Sequence, residues 1–189
     1  MPTVEMHAPF THYRGTIGKL VYRKVKGKTV VAIKPDADRP VSPAEAAQRK
    51  TFTEATAWAT SALKNEEFRQ TYEEQGRERD IPTRAAAVSD FLVPPTIEAP
   101  DLSGYAGQTG NKIYFAASDN VGVIGNRVTI TDELGSPFES GIAVEIDPDA
   151  GLWMYTAMTA VPAGTTARVN IMVHDRPGNI AEVTEEIAL

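Results

Sequence analysis

From Thr96 onward the chain breaks into short runs of β-forming residues separated by turn residues, and that rhythm constrains the fold more than any other feature. The runs are Thr96–Ala99, Lys112–Ser118, Asn126–Thr131, Gly141–Ile146, Leu152–Ala157, Ala167–His174 and Ile180–Ile187. Between them lie Ser103-Gly104, Gly107 to Gly110, Asp132 to Gly135, Asp147 to Gly151, Pro162-Ala163-Gly164 and Arg176 to Asn179. Short strands punctuated this regularly predict an antiparallel β-sandwich. Within Arg168–Val173, Val169, Ile171 and Val173 alternate with Arg168, Asn170 and Met172, the period of a strand with one buried face.

Upstream the periodicity is helical. Ser42-Pro43-Ala44-Glu45 is a capping box with proline at the first helical position, and predicts a helix to about Asn65. Phe52, Ala55, Ala59, Ala62 and Leu63 form its apolar stripe, with Trp58 at the edge. A second helix is expected over Glu66–Gln75, carrying Phe68 and Tyr72 and stopping at Gly76. A third covers about Thr83–Leu92, with Ala85, Val88, Phe91 and Leu92 inward. Pro94-Pro95 ends the helical part with a stiff connection.

The N-terminal stretch from Arg14 to Lys34 holds seven basic residues and no acidic one. Ile17–Val25 and Thr29–Ile33 read as two β-strands joined at Lys26-Gly27-Lys28. An isolated hairpin is marginal in water, so this ribbon needs a surface to lie on. Residues 1–13 form an expected extended lead-in with Phe10 and Tyr13 as anchors, and Lys34 to Pro40 reads as a linker. The expected architecture is therefore α+β in three parts: the lead-in and basic β-hairpin arm over residues 1–40, a helical block over 41–93, and a sandwich over 96–189.

Charge is uneven along this 189-residue chain of net charge −6. Residues 1–34 carry seven Lys/Arg against Glu5 alone, whereas residues 96–189 carry four against thirteen Asp/Glu. Opposed ends allow head-to-tail attraction between copies, or binding of a polyanion by the basic end. The absence of cysteine excludes disulfides, thiolate metal sites and a cysteine nucleophile. No apolar run is long enough to span a membrane as a helix, and the first residues lack a signal-peptide pattern. The expectation is cytoplasmic synthesis without membrane association, with a virion or a released assembly left open.

Three phrases carry a resemblance: Ala117-Ser118-Asp119-Asn120-Val121-Gly122-Val123, Trp153-Met154-Tyr155-Thr156-Ala157, and Val173-His174-Asp175-Arg176-Pro177-Gly178-Asn179. They resemble the loop, strand and terminal turn of bacterial immunoglobulin-like domains, over about half of the chain. The resemblance implies an immunoglobulin-like sandwich used as a spacer, adhesive module or decoration rather than a catalyst. The inter-sheet cysteine pair of antibody domains is missing, so only the fold carries over. In the N-terminal half, Arg14 to Gly18, Gly27-Lys28-Thr29, Ser42-Pro43 and Gln48-Arg49 are similar in style to uncharacterised proteins of Bacteroidetes and their phages.

No enzyme is expected. The histidines His7, His12 and His174 are scattered, no nucleophile–base–orienter set is visible, and Gly27-Lys28-Thr29 lacks the upstream glycine and following helix of a phosphate loop. No cofactor is implied. Asp119 and Asp175, beside Asn120 and Asn179, are expected at one pole of the sandwich, where carboxylate and amide oxygens could hold Ca²⁺. Turn capping of backbone N–H groups by the same aspartates is the preferred reading. The basic stretch Arg14, Lys19, Tyr22, Arg23, Lys24, Lys26, Lys28 and Lys34 has three readings: an assembly arm that adds to a sheet of the next copy, a hairpin folded on its own helices, or a nucleic-acid arm. The leading expectation is a non-enzymatic structural subunit that self-assembles into a filament, tube or virion-type assembly. Nucleic-acid binding is the alternative.

Overall fold

The computed structural model describes residues 14–25, 27–34, 36, 40–98 and 100–189. The lead-in with Phe10 and Tyr13, the turn residue Lys26, most of the linker at Pro35 and residues 37–39, and Ala99 lie outside the described residues. The protein is α+β, and every strand pairing among the described residues is antiparallel. It divides into two compact units, Met1–Ala46 and Ala47–Leu189.

The first unit holds a three-stranded sheet, β1 (Gly15–Ile17), β2 (Leu20–Val25) and β3 (Lys28–Ile33), in the order β1-β2-β3. The sequence suggested one strand over Ile17–Val25. Gly18 instead adopts φ +56° and, with Lys19, turns the chain back, so that Ile17 pairs with Leu20. Gly27, at φ +79°, supplies the expected second turn.

The second unit starts within helix α1 (Pro43–Ala62), continues through α2 (Glu66–Glu78) and α3 (Thr83–Leu92), and ends in two four-stranded sheets. Ser42 Oγ accepts the Glu45 N–H at 3.2 Å, and Asn65 Oδ1 accepts that of Phe68 at 3.2 Å, so both helix starts are capped by side chains. Three local expectations change. Gly76 does not stop α2 but lies buried inside it, where a Cβ would stand 2.8 Å from the Ile81 carbonyl oxygen of the returning loop. Phe52 is exposed rather than part of the buried stripe of Ala55, Ala59 and Ala62. On α3 the buried face is Ala86, Ala87 and Asp90, while Ala85 and Leu92 face solvent. The helical core of Ala59, Ala62, Tyr72, Ala86 and Ala87 is small-sided, and Trp58, Phe68 and Val88 cover its rim.

The eight C-terminal strands are β4 (Thr96–Ile97), β5 (Lys112–Ser118), β6 (Gly125–Thr131), β7 (Pro137–Gly141), β8 (Val144–Asp147), β9 (Leu152–Thr156), β10 (Thr166–His174) and β11 (Ile180–Ala188). They form sheets ordered β11-β10-β6-β7 and β4-β5-β9-β8. Both sheets contribute to one core: Val128, Ile130, Val169, Ile171 and Val173 from the first, Ile113, Phe115 and Tyr155 from the second. This is a sandwich, with inner residues alternating with outer ones along β5, β6, β10 and β11.

The single strand expected over Gly141–Ile146 is a crossover. β7 ends at Gly141 in one sheet and β8 starts at Val144 in the other. Buried Asn126 holds the crossing, its Oδ1 accepting from Ala143 N at 2.7 Å and its Nδ2 donating to Ala143 O at 3.1 Å. Gly141 leaves room for the Tyr155 ring, which a Cβ would meet at 2.8 Å. β7 escaped notice because its inward position is Glu139, a buried carboxylate that breaks the apolar alternation. Its Oε2 accepts from Met158 N and Thr159 N, each at 2.8 Å.

Candidate metal centre

Helix α3 meets the sandwich at the loops that follow β5 and β10. In the first loop Asp119 Oδ2 accepts the N–H groups of Val121 and Gly122 at 2.8 and 2.9 Å. In the second, Asp175 Oδ1 accepts those of Gly178 and Asn179 at 2.9 and 2.6 Å. These are the side-chain turns that Asp forms with its own backbone. Val121 packs on the helical core and Val123 on the sandwich core, so this one loop touches both.

The same loops reach α3. Asn179 Nδ2 donates to the Asp90 and Phe91 carbonyls at 3.3 and 3.2 Å, and to Asp175 Oδ2 at 2.6 Å. Asn120 Nδ2 donates to Ser89 Oγ at 3.0 Å. Last-turn carbonyls of a helix have no partner within the helix, and Asn179 satisfies two here. The Arg176 guanidinium lies 5.2 Å from the Phe68 ring centroid and 5.8 Å from that of Tyr72, within cation–π range of both.

The residue at the centre is Asp90, which sequence reasoning missed. It is fully buried, and the Tyr72 hydroxyl donates to its Oδ2. Asp90, Asp119 and Asp175 each offer a carboxylate oxygen, and these oxygens lie within 4.8 Å of one another. Burial pushes Asp90 up to about 6; Asp119 and Asp175 add to the rise, while the Tyr72 hydrogen bond and Arg176 oppose it. Burial and the same hydrogen bond push the Tyr72 hydroxyl up as well. A signal for Asp90 was present in the sequence, since it sits three residues beyond Ala87 and four beyond Ala86 on the buried stripe. Its polarity argued for the opposite face.

Three oxygens at this junction, Asp90 Oδ1, Asp119 Oδ1 and Asn120 Oδ1, are buried without a hydrogen-bond partner. A second buried polar cluster lies within the sandwich. There Glu139 Oε1 and the hydroxyls of Tyr105 and Tyr155 lack partners, and burial, then Glu139, pushes Tyr155 up to about 12.

The basic residues of the first unit are not drawn into a site of this kind. Tyr22 and Lys24 share one face of the N-terminal sheet with Leu20, Val31 and Ile33, while Arg23 and Lys28 share the other with Val21, Val25, Val30 and Ala32. Lys19 occupies the β1–β2 turn, and Lys34 N donates to Lys19 O at 2.7 Å. Arg14 precedes β1. His174 Nδ1 lies 3.3 Å from the Asp175 carbonyl oxygen.

No family model matches the chain, and no curated protein matches it. Among solved structures, CopC from Methylosinus trichosporium OB3b is similar at 17% identity and a TM-score of 0.38, over 49% of this chain and 89% of that one. No helix among the described residues is long and apolar enough to cross a membrane.

Proposed function

We propose that the protein is a non-enzymatic structural subunit that self-assembles through its N-terminal sheet and presents an immunoglobulin-like sandwich as its exposed module. The observation that carries the reading is the burial of the N-terminal sheet. No described residue between Arg14 and Lys34 is buried, although Ile17, Leu20, Val25 and Ile33 are large and apolar. Both faces are rich in valine, isoleucine and leucine. Strands apolar on both faces belong to sheets covered on both sides. Among the described residues, the outer edges of β1 and β3 pair with no strand, and such an edge can take up another strand.

The occupant that fits is a second copy of this chain. The sheet is basic, and residues 96–189 carry thirteen acidic residues against four basic ones. Charge of opposite sign at the two ends favours a head-to-tail contact, the geometry of open filaments and tubes. Light scattering after size-exclusion chromatography, with negative-stain microscopy, tests this on the full chain. Multimers that grow with concentration are expected, and the double variant Val30→Lys, Val31→Lys, with one charge on each face, is expected to stay monomeric. A wild-type chain that stays monomeric at high concentration overturns the proposal.

A second reading is polyanion binding, favoured by a concavity of about 470 Å³ lined by Arg14, Arg23, Lys24 and Tyr22. It predicts a gel shift with nucleic acid that weakens steeply with salt, because bound phosphates release counterions.

A further inference from the structure

We propose that Asp90, Asp119 and Asp175, with the amide oxygen of Asn120, hold one Ca²⁺ that ties helix α3 to the loops of the sandwich. This inference is independent of self-assembly, since all four residues belong to the second unit.

The hydrogen bonds at this junction leave several oxygens over. Asp90 Oδ2 accepts from the Tyr72 hydroxyl, Asp119 Oδ2 from two backbone N–H groups, Asp175 Oδ1 from two more, and Asp175 Oδ2 from Asn179 Nδ2. Those bonds fix the carboxylates in orientation. The Asn120 amide is fixed too, because its nitrogen donates to Ser89 Oγ. What remains is a set of acceptors, and Asp90 Oδ1, Asp119 Oδ1 and Asn120 Oδ1 find no donor although all three are buried. Asp90 itself has no exposed surface. Buried acceptors that face only other acceptors are unstable unless a cation or proton sits among them.

A single proton can bridge only one pair of these oxygens. Arg176 is the nearby cation, yet its buried Nη1 also has no partner, so that nitrogen does not supply the missing donor. A divalent ion answers all the oxygens at once and offsets the mutual repulsion of carboxylates within 4.8 Å. Donors that are all oxygen select a hard cation. Ca²⁺ accepts irregular sets of six to eight oxygens, whereas Mg²⁺ demands a near-ideal octahedron and retains its waters. Backbone carbonyls and water would complete the shell.

Luminescence of Tb³⁺, a Ca²⁺ substitute, tests the site on the full chain. Tyr72, which donates to Asp90, and Trp58, 6.1 Å from the Tyr72 ring, provide the aromatic donors for sensitised emission. Saturation at one ion per chain is expected, with Ca²⁺ displacing Tb³⁺ well before Mg²⁺ does. Asp119→Asn retains an oxygen for the Val121 and Gly122 N–H groups but is expected to weaken binding at least tenfold. Asp147→Asn, at an exposed turn, is expected to leave it unchanged. Calorimetric titration of wild-type protein with Ca²⁺ gives a readout that needs no variant. Non-saturable emission, equal affinity in wild type and Asp119→Asn, or no heat from Ca²⁺ overturns the proposal. Persistence of the site in the Val30→Lys, Val31→Lys variant would separate it from assembly.

Discussion

The N-terminal sheet and strand β10 have similar compositions and opposite fates. Val30, Val31 and Ile33 are as β-forming as Val169, Ile171 and Val173, and both sets sit on well-paired antiparallel strands. Yet the three β10 residues are fully buried, while Ile33 is 73% exposed. The difference is the second layer. Every inward residue of β10 faces β5 and β9 across a shared core, and its outward neighbours are Arg168, Asn170 and Met172. The β3 run is apolar on both faces, and none of its described residues is buried. Backbone pairing makes a sheet, but only an opposing apolar layer makes a core.

Truncating one residue in each region separates the closed core from the N-terminal sheet. Ile171→Ala removes a side chain from the closed core and is expected to destabilise by about 2–5 kcal/mol in chemical denaturation. A cost under about 1 kcal/mol would mean that the sandwich is loosely packed. An intermediate effect concerns the polar cluster inside that core. Tyr155 is held neutral up to about 12, above its ordinary 10. Its contribution to stability is therefore complete below pH 10 and is lost as pH rises through 12, on the order of 1–3 kcal/mol in all. Denaturation midpoints at pH 9 and pH 11.5 should fall less in Tyr155→Phe than in wild type; equal falls would contradict the assignment. The smallest effect is expected for Ile33→Ala. Monomer stability should change by less than about 0.5 kcal/mol, as at an exposed position. Its effect on multimer formation should be larger, and a purely structural role would reverse that order.

Local signals made much of the architecture legible. Ser42-Pro43-Ala44-Glu45 announced α1, alternation in Arg168–Val173 announced β10, and the turn glycines placed most of the strands. Each of these rests on atoms a few residues apart. Misreadings arose where a distant contact overruled the local pattern. Gly76 looks like a helix stop until the loop at Ile81 needs its space, and Glu139 looks like a surface residue until Met158 and Thr159 donate to it.

The candidate site divides along the same line. Asp119 and Asp175 were legible as aspartates at turn positions, because an Asp side chain bonds its own backbone two to four residues on. Asp90 was not, because nothing within its helix says that it faces two loops far along the chain, one of them bonded to its carbonyl across 89 residues. Neighbours in the chain account for the α+β class, the helix starts, the positions of most strands and the charge imbalance. Tertiary structure decided which sheet each strand joins, which side of α3 is buried, and that three carboxylates share one enclosed space. Burial and charge density are properties of packed volume, which only the folded chain possesses.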